Sequence, residues 1–272
     1  MSSLSSPFRY PGAKSRIVAS ILGKMAFANQ RKLVDVFVGG GSVFIGALNK
    51  GLFESFVLND KDEAVASFWS CLAHSETCEF LVHRVRTTLP TVEEHGVQRQ
   101  AIKSDDILTA GFAALFLNRT SFSGILTSGP IGGYEQKSRY SVSCRYNADL
   151  MAKKIESIHR AIRGKVDITC LDFETCIEEN DQEGSVIYCD APYYVKGNQL
   201  YRCKMTHEDH LRLAECLRRL RRANFVVSYD DEPEIREMYR WATIDTVAHR
   251  YSIKGQGRKG WKGKNEVLIT PS

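Results

Sequence analysis

The residues with the clearest chemical purpose lie in the stretch SVIYCDAPYY, 185 to 194. Ser185 to Cys189 is an apolar run of the length and composition of a buried strand, and Asp190-Ala191-Pro192-Tyr193-Tyr194 follow at its carboxyl end. In open α/β sheets a ligand sits in the crevice beyond the carboxyl ends of the strands, so these residues are placed where chemistry is done. Pro192 restricts Ala191 to extended geometry, which aims the Ala191 carbonyl in the same direction as the Asp190 carboxylate. Two acceptors that converge on one point match an exocyclic amine with its two N–H donors. The face of Tyr193 offers a stacking surface for the ring that carries the amine. A capping aspartate and a turn proline at a strand end is the other reading of the same five residues.

Three further sets of residues belong with such a crevice. In KLVDVFVGGGSVFIGALNKG a strand from Leu33 to Phe37 runs into Gly39, Gly40 and Gly41, followed by a helix from Ser42 to Asn49 that Gly51 stops. Glycines there remove Cβ atoms from the turn, so a ligand can lie against backbone at a helix N-terminus. The pattern is not a full G-x-G-x-x-G, because Phe44 holds the last position. FVLND supplies a second short strand at 56 to 58 followed by Asn59 and Asp60, and an acid about 20 residues after the glycines has the usual spacing of a ribose-hydroxyl ligand, although Asp60 also fits the N-cap of the next helix. A third strand, Val166 to Cys170, ends in Leu171-Asp172-Phe173, an acid and an aromatic suited to an adenine ring. At the N-terminus FRYPGAK places Tyr10, a Pro-Gly turn and Lys14 ahead of a helical pattern. It reads either as a lid over a zwitterionic ligand or as a tail leading into an amphipathic helix.

The elements that must position these residues alternate between strand and helix, which is the order of an α/β sheet. Residues 61 to 118 are mostly helical with a break at Pro90, helix resumes from Asp149 to Ile162, and strands at Phe225 to Ser228, Thr243 to Ala248 and Glu266 to Ile269 alternate with helices at Thr206 to Arg222 and Pro233 to Trp241. Thr206 with Asp209 reads as a capping box. The arginines at 218, 219, 221 and 222 read as a solvated helix end. His74, His83 and His95 have no partner at metal-ligand spacing, so no metal is expected. The chain of 272 residues has 43% hydrophobic and 25% charged residues, long enough to bury a full core. No apolar run approaches the roughly 18 residues of a membrane span, and the first residues lack a signal core. The eight cysteines are scattered without a C-x-x-C pair and read as reduced thiols. A cytosolic protein is expected.

Net charge is +5, and its placement matters more than its sum. Residues 118 to 147 form a long irregular stretch rich in glycine, serine and threonine, in which Arg119, Ser121, Phe122, Tyr134, Lys137 and Arg139 are the residue types that contact phosphates or wedge between bases. Residues 250 to 264 hold six basic residues and no acid, Lys254, Arg258 and Lys259 among them, and read as a phosphate-contacting arm. A solvated surface loop is the alternative for residues 118 to 147.

Taken in series, FRYPGAK, DVFVGGG, FVLND, NRTSFSG, LDF, DAPYY, VVSYDD and RYSI…NEVLI resemble the Dam-like DNA adenine-N6 methyltransferases, the alpha group of the D12 class, over almost the whole chain. The resemblance implies a class I methyltransferase fold, Rossmann-like, with a mostly parallel seven-stranded sheet whose last strand is antiparallel. Residues 1 to 60 and 165 to 272 would form the catalytic domain, with an inserted helical target-recognition region at 61 to 164. It implies S-adenosylmethionine as methyl donor, no metal, double-stranded DNA as partner, and a prokaryotic or phage-encoded monomer. On matching positions Tyr10 and Lys14 would hold the methionine end of the cofactor, Phe37 and Gly39 to Gly41 the turn beneath it, Asp60 the ribose, Asp172 and Phe173 the adenine. Asp190, Ala191, Pro192 and Tyr193 would hold the target base, with Asp190 also bordering the cofactor. The family usually has proline where this chain has Ala191; because the carbonyl is the functional group, activity is expected to persist. An inactive DNA-binding relative and an RNA or cytosine-N4 methyltransferase are the alternatives.

Overall fold

The computed structural model describes residues 3–9, 14, 17–194, 202–247 and 265–272. Seven strands form one sheet: β1 (Lys32–Asp35), β2 (Ser55–Asn59), β3 (Val166–Thr169), β4 (Ser185–Cys189), β5 (Asn224–Asp230), β6 (Thr243–Val247) and β7 (Glu266–Thr270). Their order across the sheet is β3-β2-β1-β4-β5-β7-β6. Strands β1 to β5 pair in parallel, and β7 runs antiparallel to both of its neighbours. This is the expected class I methyltransferase arrangement. The order reverses between β1 and β4, and that reversal opens a crevice at their carboxyl ends.

Strand β4 is buried at all five positions, as a central parallel strand covered on both faces must be. Alternation decides which side each residue serves. Leu33, Phe56 and Tyr188 belong to one apolar layer, Val34, Val57 and Ile187 to the other. The second layer is closed by α8 (Phe173–Glu179), α9 (His207–Arg218) and α10 (Pro233–Met238). The first is closed by α1 (Val18–Lys24), α2 (Ser42–Lys50) and α3 (Glu63–Ala73).

Beyond α3 come α4 (Ser75–Thr87), α5 (Val92–Ala101), α6 (Ile107–Thr120) and α7 (Ala148–Ile162). Helix α6 is buried nearly all round and packs on α3, α4 and α5, while α7 shows one apolar stripe, Met151, Ala152, Ile155, Ile158 and Ile162. Because α3 also packs on β2 and β3, the helical region and the sheet share one continuous core. Thr206 and Asp209 form the expected capping box, but α9 ends at Arg218, short of Arg222. The carboxylate of Asp181 accepts the backbone N–H groups of Arg221, Arg222 and Ala223 at 2.8 to 3.0 Å, which holds them out of the helix. Among the described residues no helix is long and apolar enough to cross a membrane.

Candidate active site

At the tip of β4 the Asp190 carboxylate is held from behind. Its Oδ1 accepts from Lys14 Nζ at 3.1 Å and from the Ser228 hydroxyl at 3.0 Å. Ser228, on β5, lies in turn 2.9 Å from the Tyr188 hydroxyl. The Lys14 side chain is only 2% exposed, and its ammonium also lies 3.3 Å from Glu266 Oε2, donates to the Tyr193 hydroxyl at 3.4 Å and sits 4.7 Å from the centre of the Tyr193 ring. Burial by itself would lower the pKa of Lys14, but Asp190, Tyr193 and Glu266 outweigh it and keep the ammonium charged. Burial raises the carboxyl of Asp190, with Lys14 opposing. Beyond Asp190 the chain is fixed by the Tyr194 backbone N–H, which donates to Asp230 at 3.1 Å, and by the Tyr194 hydroxyl, 2.8 Å from His207 Nδ1. Ala191 is buried and Pro192 faces the cleft.

The glycine turn after β1 places Gly39 and Gly41 at positive φ, +44° and +66°. Gly39 donates its N–H to Asp60 Oδ2 at 2.9 Å, and its carbonyl accepts from the Trp69 indole at 3.0 Å. Gly39 and Gly40 line the cleft. Gly41 does not face a ligand: a Cβ on it would stand 2.5 Å from the Trp69 ring, so its glycine is required by packing as well as by φ. Asp60 accepts a second N–H, that of Asp62, at 2.9 Å, and burial, then the charge of Asp62, pushes its carboxyl up to about 7. The N-cap of α3 is Asp62 rather than Asp60, with its side chain accepting from Ala64 N–H at 3.1 Å. Asp35, fully buried below the turn, has its carboxyl raised by burial and then by Asp190 and Asp60.

Asn59 is the clamp of the site, and nothing in its local sequence marks it. Its amide donates to the carbonyls of Val36 at 3.0 Å and Leu171 at 3.1 Å, while its oxygen accepts from the Thr169 hydroxyl and the Leu171 N–H, both at 2.8 Å. One buried side chain thereby ties the ends of β1, β2 and β3 together. Asp172 caps α8, pairs with Arg212 at 2.6 Å and stands 3.9 Å from Lys61. The Arg212 guanidinium covers the Phe173 ring at 4.4 Å, and Phe37 packs at 6.0 Å on the same ring.

These elements enclose a cleft of about 280 Å³. Phe37, Gly39, Gly40, Asp60, Asp172, Phe173, Asp190 and Pro192 all line it. Arg202, Cys203, Lys204 and Met205, the residues just before α9, also line it, anchored by the Arg202–Asp62 pair at 3.0 Å. Lys14 stands behind Asp190, outside the set that lines the cleft. Tyr10, Lys254, Arg258 and Lys259 lie outside the described residues.

The 118 to 147 stretch divides into exposed and buried residues. Phe122, Tyr134 and Tyr140 are exposed, as are Lys137 and Arg139. Ser121 is not available to a DNA surface: it is 0% exposed, and its hydroxyl lies 3.0 Å from His95 Nε2. The bridge between Ser121 and Pro130 turns it inward. Arg119 is partly buried, and burial, then Arg9 and Arg145, push its guanidinium down to about 10. Asn118 ties this stretch to the N-terminal segment by accepting from Arg9 N–H at 2.6 Å and donating to the Gly124 carbonyl at 3.0 Å.

A DNA N-6-adenine-methyltransferase of Escherichia phage P1 is 29% identical over 265 residues, covering 92% of this chain and 33% of that protein. The chain thus spans about a third of the phage relative's length. A DNA adenine methylase of Vibrio cholerae serotype O1 is 25% identical over 285 residues, covering 97% of this chain and 95% of that protein. The family model for D12 class N6 adenine-specific DNA methyltransferases matches residues 10–253, nearly the whole sheet and every wall of the cleft, and the chain belongs to that family.

Proposed function

We propose that this protein transfers a methyl group from S-adenosylmethionine to the N6 amine of an adenine swung out of double-stranded DNA. The observation that carries the reading is the Asp190 carboxylate at the cleft, held on one oxygen by Lys14 and Ser228. The cleft fits the cofactor's chemistry. Asp60 uses each oxygen once on backbone N–H, which leaves lone pairs for ribose hydroxyls. Gly39 and Gly40, which line the cleft with bare backbone, would hold the methionine portion with Phe37, and Asp172 and Phe173, which line it too, would hold the adenine. When bound, the cofactor supplies an electrophilic methyl on a positively charged sulfur.

Adenine N6 is a weak nucleophile because its lone pair is delocalised into the ring. Asp190 and the Ala191 carbonyl would accept its two hydrogens, which favours a pyramidal, more nucleophilic nitrogen. The methylated amine carries one hydrogen fewer, and Asp190, whose carboxyl is raised by burial, would be the base at hand for that proton. Tyr193 carries Lys14 against its ring; a base stacked on it offsets part of the unstacking energy, a few kcal/mol. On the DNA side Arg119 is the phosphate ligand with the strongest support. Its Nε is buried without a hydrogen bond among the described residues, and cations surround it: Arg9, Arg145 and Lys154. Exposed Phe122, Tyr134, Lys137 and Arg139 complete that face.

Asp190→Ala tests the reading. The variant is expected to bind S-adenosylmethionine and DNA yet transfer no tritiated methyl, while base-resolution mapping and nucleoside analysis of DNA treated with the parent enzyme return N6-methyladenine. Full transfer by the variant, or N4-methylcytosine as product, overturns it.

A further inference from the structure

The two oxygens of Asp190 are in unequal positions. Oδ1 accepts from both Lys14 and Ser228, whereas among the described residues none donates to Oδ2. The Asp190 side chain is 24% exposed, toward the cleft it lines. Lys14 is shared between two acids, 3.1 Å from Asp190 Oδ1 and 3.3 Å from Glu266 Oε2, and Glu266 is itself buried. In a simple Lys14–Asp190 pair the ammonium would settle fully on the carboxylate and weaken both oxygens as acceptors. With Glu266 present the ammonium is pulled from two sides, and its charge is divided between the two carboxylates.

We propose that Glu266 is a positioning residue for methyl transfer: it holds Lys14 back at the inner oxygen of Asp190, so that the outer oxygen stays an unshared acceptor for the amine hydrogens. The inference rests on Asp190 as the amine acceptor and adds a residue that acts through Lys14 and through its own charge on Asp190. Glu266 sits opposite Asp230, at the edge of the sheet where β4 and β5 end. Its negative charge raises the carboxyl of Asp190, while Lys14 lowers it. Removing the Glu266 charge, and releasing Lys14 toward Asp190, therefore shift that carboxyl in the same direction, downward.

Glu266→Gln, Glu266→Asp and Asp190→Ala are compared for methyl transfer to DNA, for S-adenosylmethionine affinity by calorimetry and for thermal unfolding. E266Q is expected to lower kcat about tenfold while cofactor Kd and DNA KM stay within about twofold, and to move the acid limb of the kcat profile to lower pH. E266D keeps the charge on a shorter arm, so its kcat and acid limb should fall between those of parent and E266Q. Should E266Q fail to fold, E266D alone decides: its limb moves to lower pH with a partial loss of kcat. Parent-like kcat with an unmoved limb in the folded variant, beside an inactive D190A, overturns the role of Glu266 and leaves the proposed function standing. An active D190A overturns both.

Discussion

Replacing Asn59 by alanine removes one side chain and four hydrogen bonds, two donated and two accepted. Asn59 is 1% exposed, and the Val36 carbonyl it satisfies belongs to a residue that is 0% exposed, so water does not freely take its place. At about 1 kcal/mol net for each bond, and with partial rescue of Thr169 and Leu171 by solvent, the loss comes to about 3 kcal/mol. That is a large share of a typical domain stability of about 5–15 kcal/mol. With a urea m-value of about 3 kcal/mol/M the midpoint should fall by about 1 M. The damage is not confined to stability. The bonds of Asn59 set the spacing between the Val36-to-Val38 wall and the Leu171-to-Phe173 wall of the cleft, so S-adenosylmethionine affinity should drop about tenfold or more in the variant that remains folded. Urea unfolding followed by circular dichroism gives the first quantity and calorimetric titration the second. Asn59→Asp sharpens the test, because it keeps the volume and the oxygen that accepts from Thr169 and Leu171 but points a second oxygen at two carbonyls where the amide had donated. A loss below about 1 kcal/mol, or a destabilised Asn59→Ala that binds cofactor as tightly as the parent, refutes the clamp.

Two further outcomes follow from the electrostatics. His95 and His210 are both buried, 0% and 1% exposed, and burial pushes each imidazole down to about 4 from an ordinary 6.5. At these two sites the unfolded chain takes up protons first, so their contribution to stability is complete above pH 6.5 and is lost as pH falls toward about 4, opposite in sign to that of Asp60. His95→Asn should flatten that decline in a urea series from pH 7 to pH 5, and an unchanged slope argues against His95 as a source. Arg119→Leu should weaken DNA binding and reduce the slope of log K against log salt by about 1 while cofactor affinity is unchanged; an unaltered slope removes Arg119 from the phosphate contacts.

The sheet was legible because its inner strands are apolar without interruption, and SVIYC and FVLN have few other ways to fold. The glycine turn and Asp60 were legible from type and spacing alone. What was hidden depends on partners far along the chain. Asn59 sits inside the readable FVLND, but its partners are residues 36, 169 and 171. Helix α8 was masked because LDF reads as a strand end, whereas Asp172 is its N-cap. Ser121 looked like a DNA contact because serine in an irregular segment is usually exposed; the pairing with Pro130 and the bond with His95 reverse that. The wall from Arg202 to Met205 has no compositional signal, and only the pair of Arg202 with Asp62 marks its place.

The antiparallel last strand explains how so acidic a centre is assembled. In a parallel sheet each strand brings only its carboxyl end to the crevice, and β1, β2, β4 and β5 deliver Asp35, Asn59, Cys189 and Asp230 there in that way. Strand β7 is reversed, so its first residue, Glu266, meets the end of β5. A parallel β7 would carry Glu266 to the opposite edge, roughly 13 Å away at about 3.3 Å per residue, too far to share an ammonium with Asp190. Lys14 comes from before β1 and Glu266 from the last strand, so the trio forms only after the whole sheet is closed.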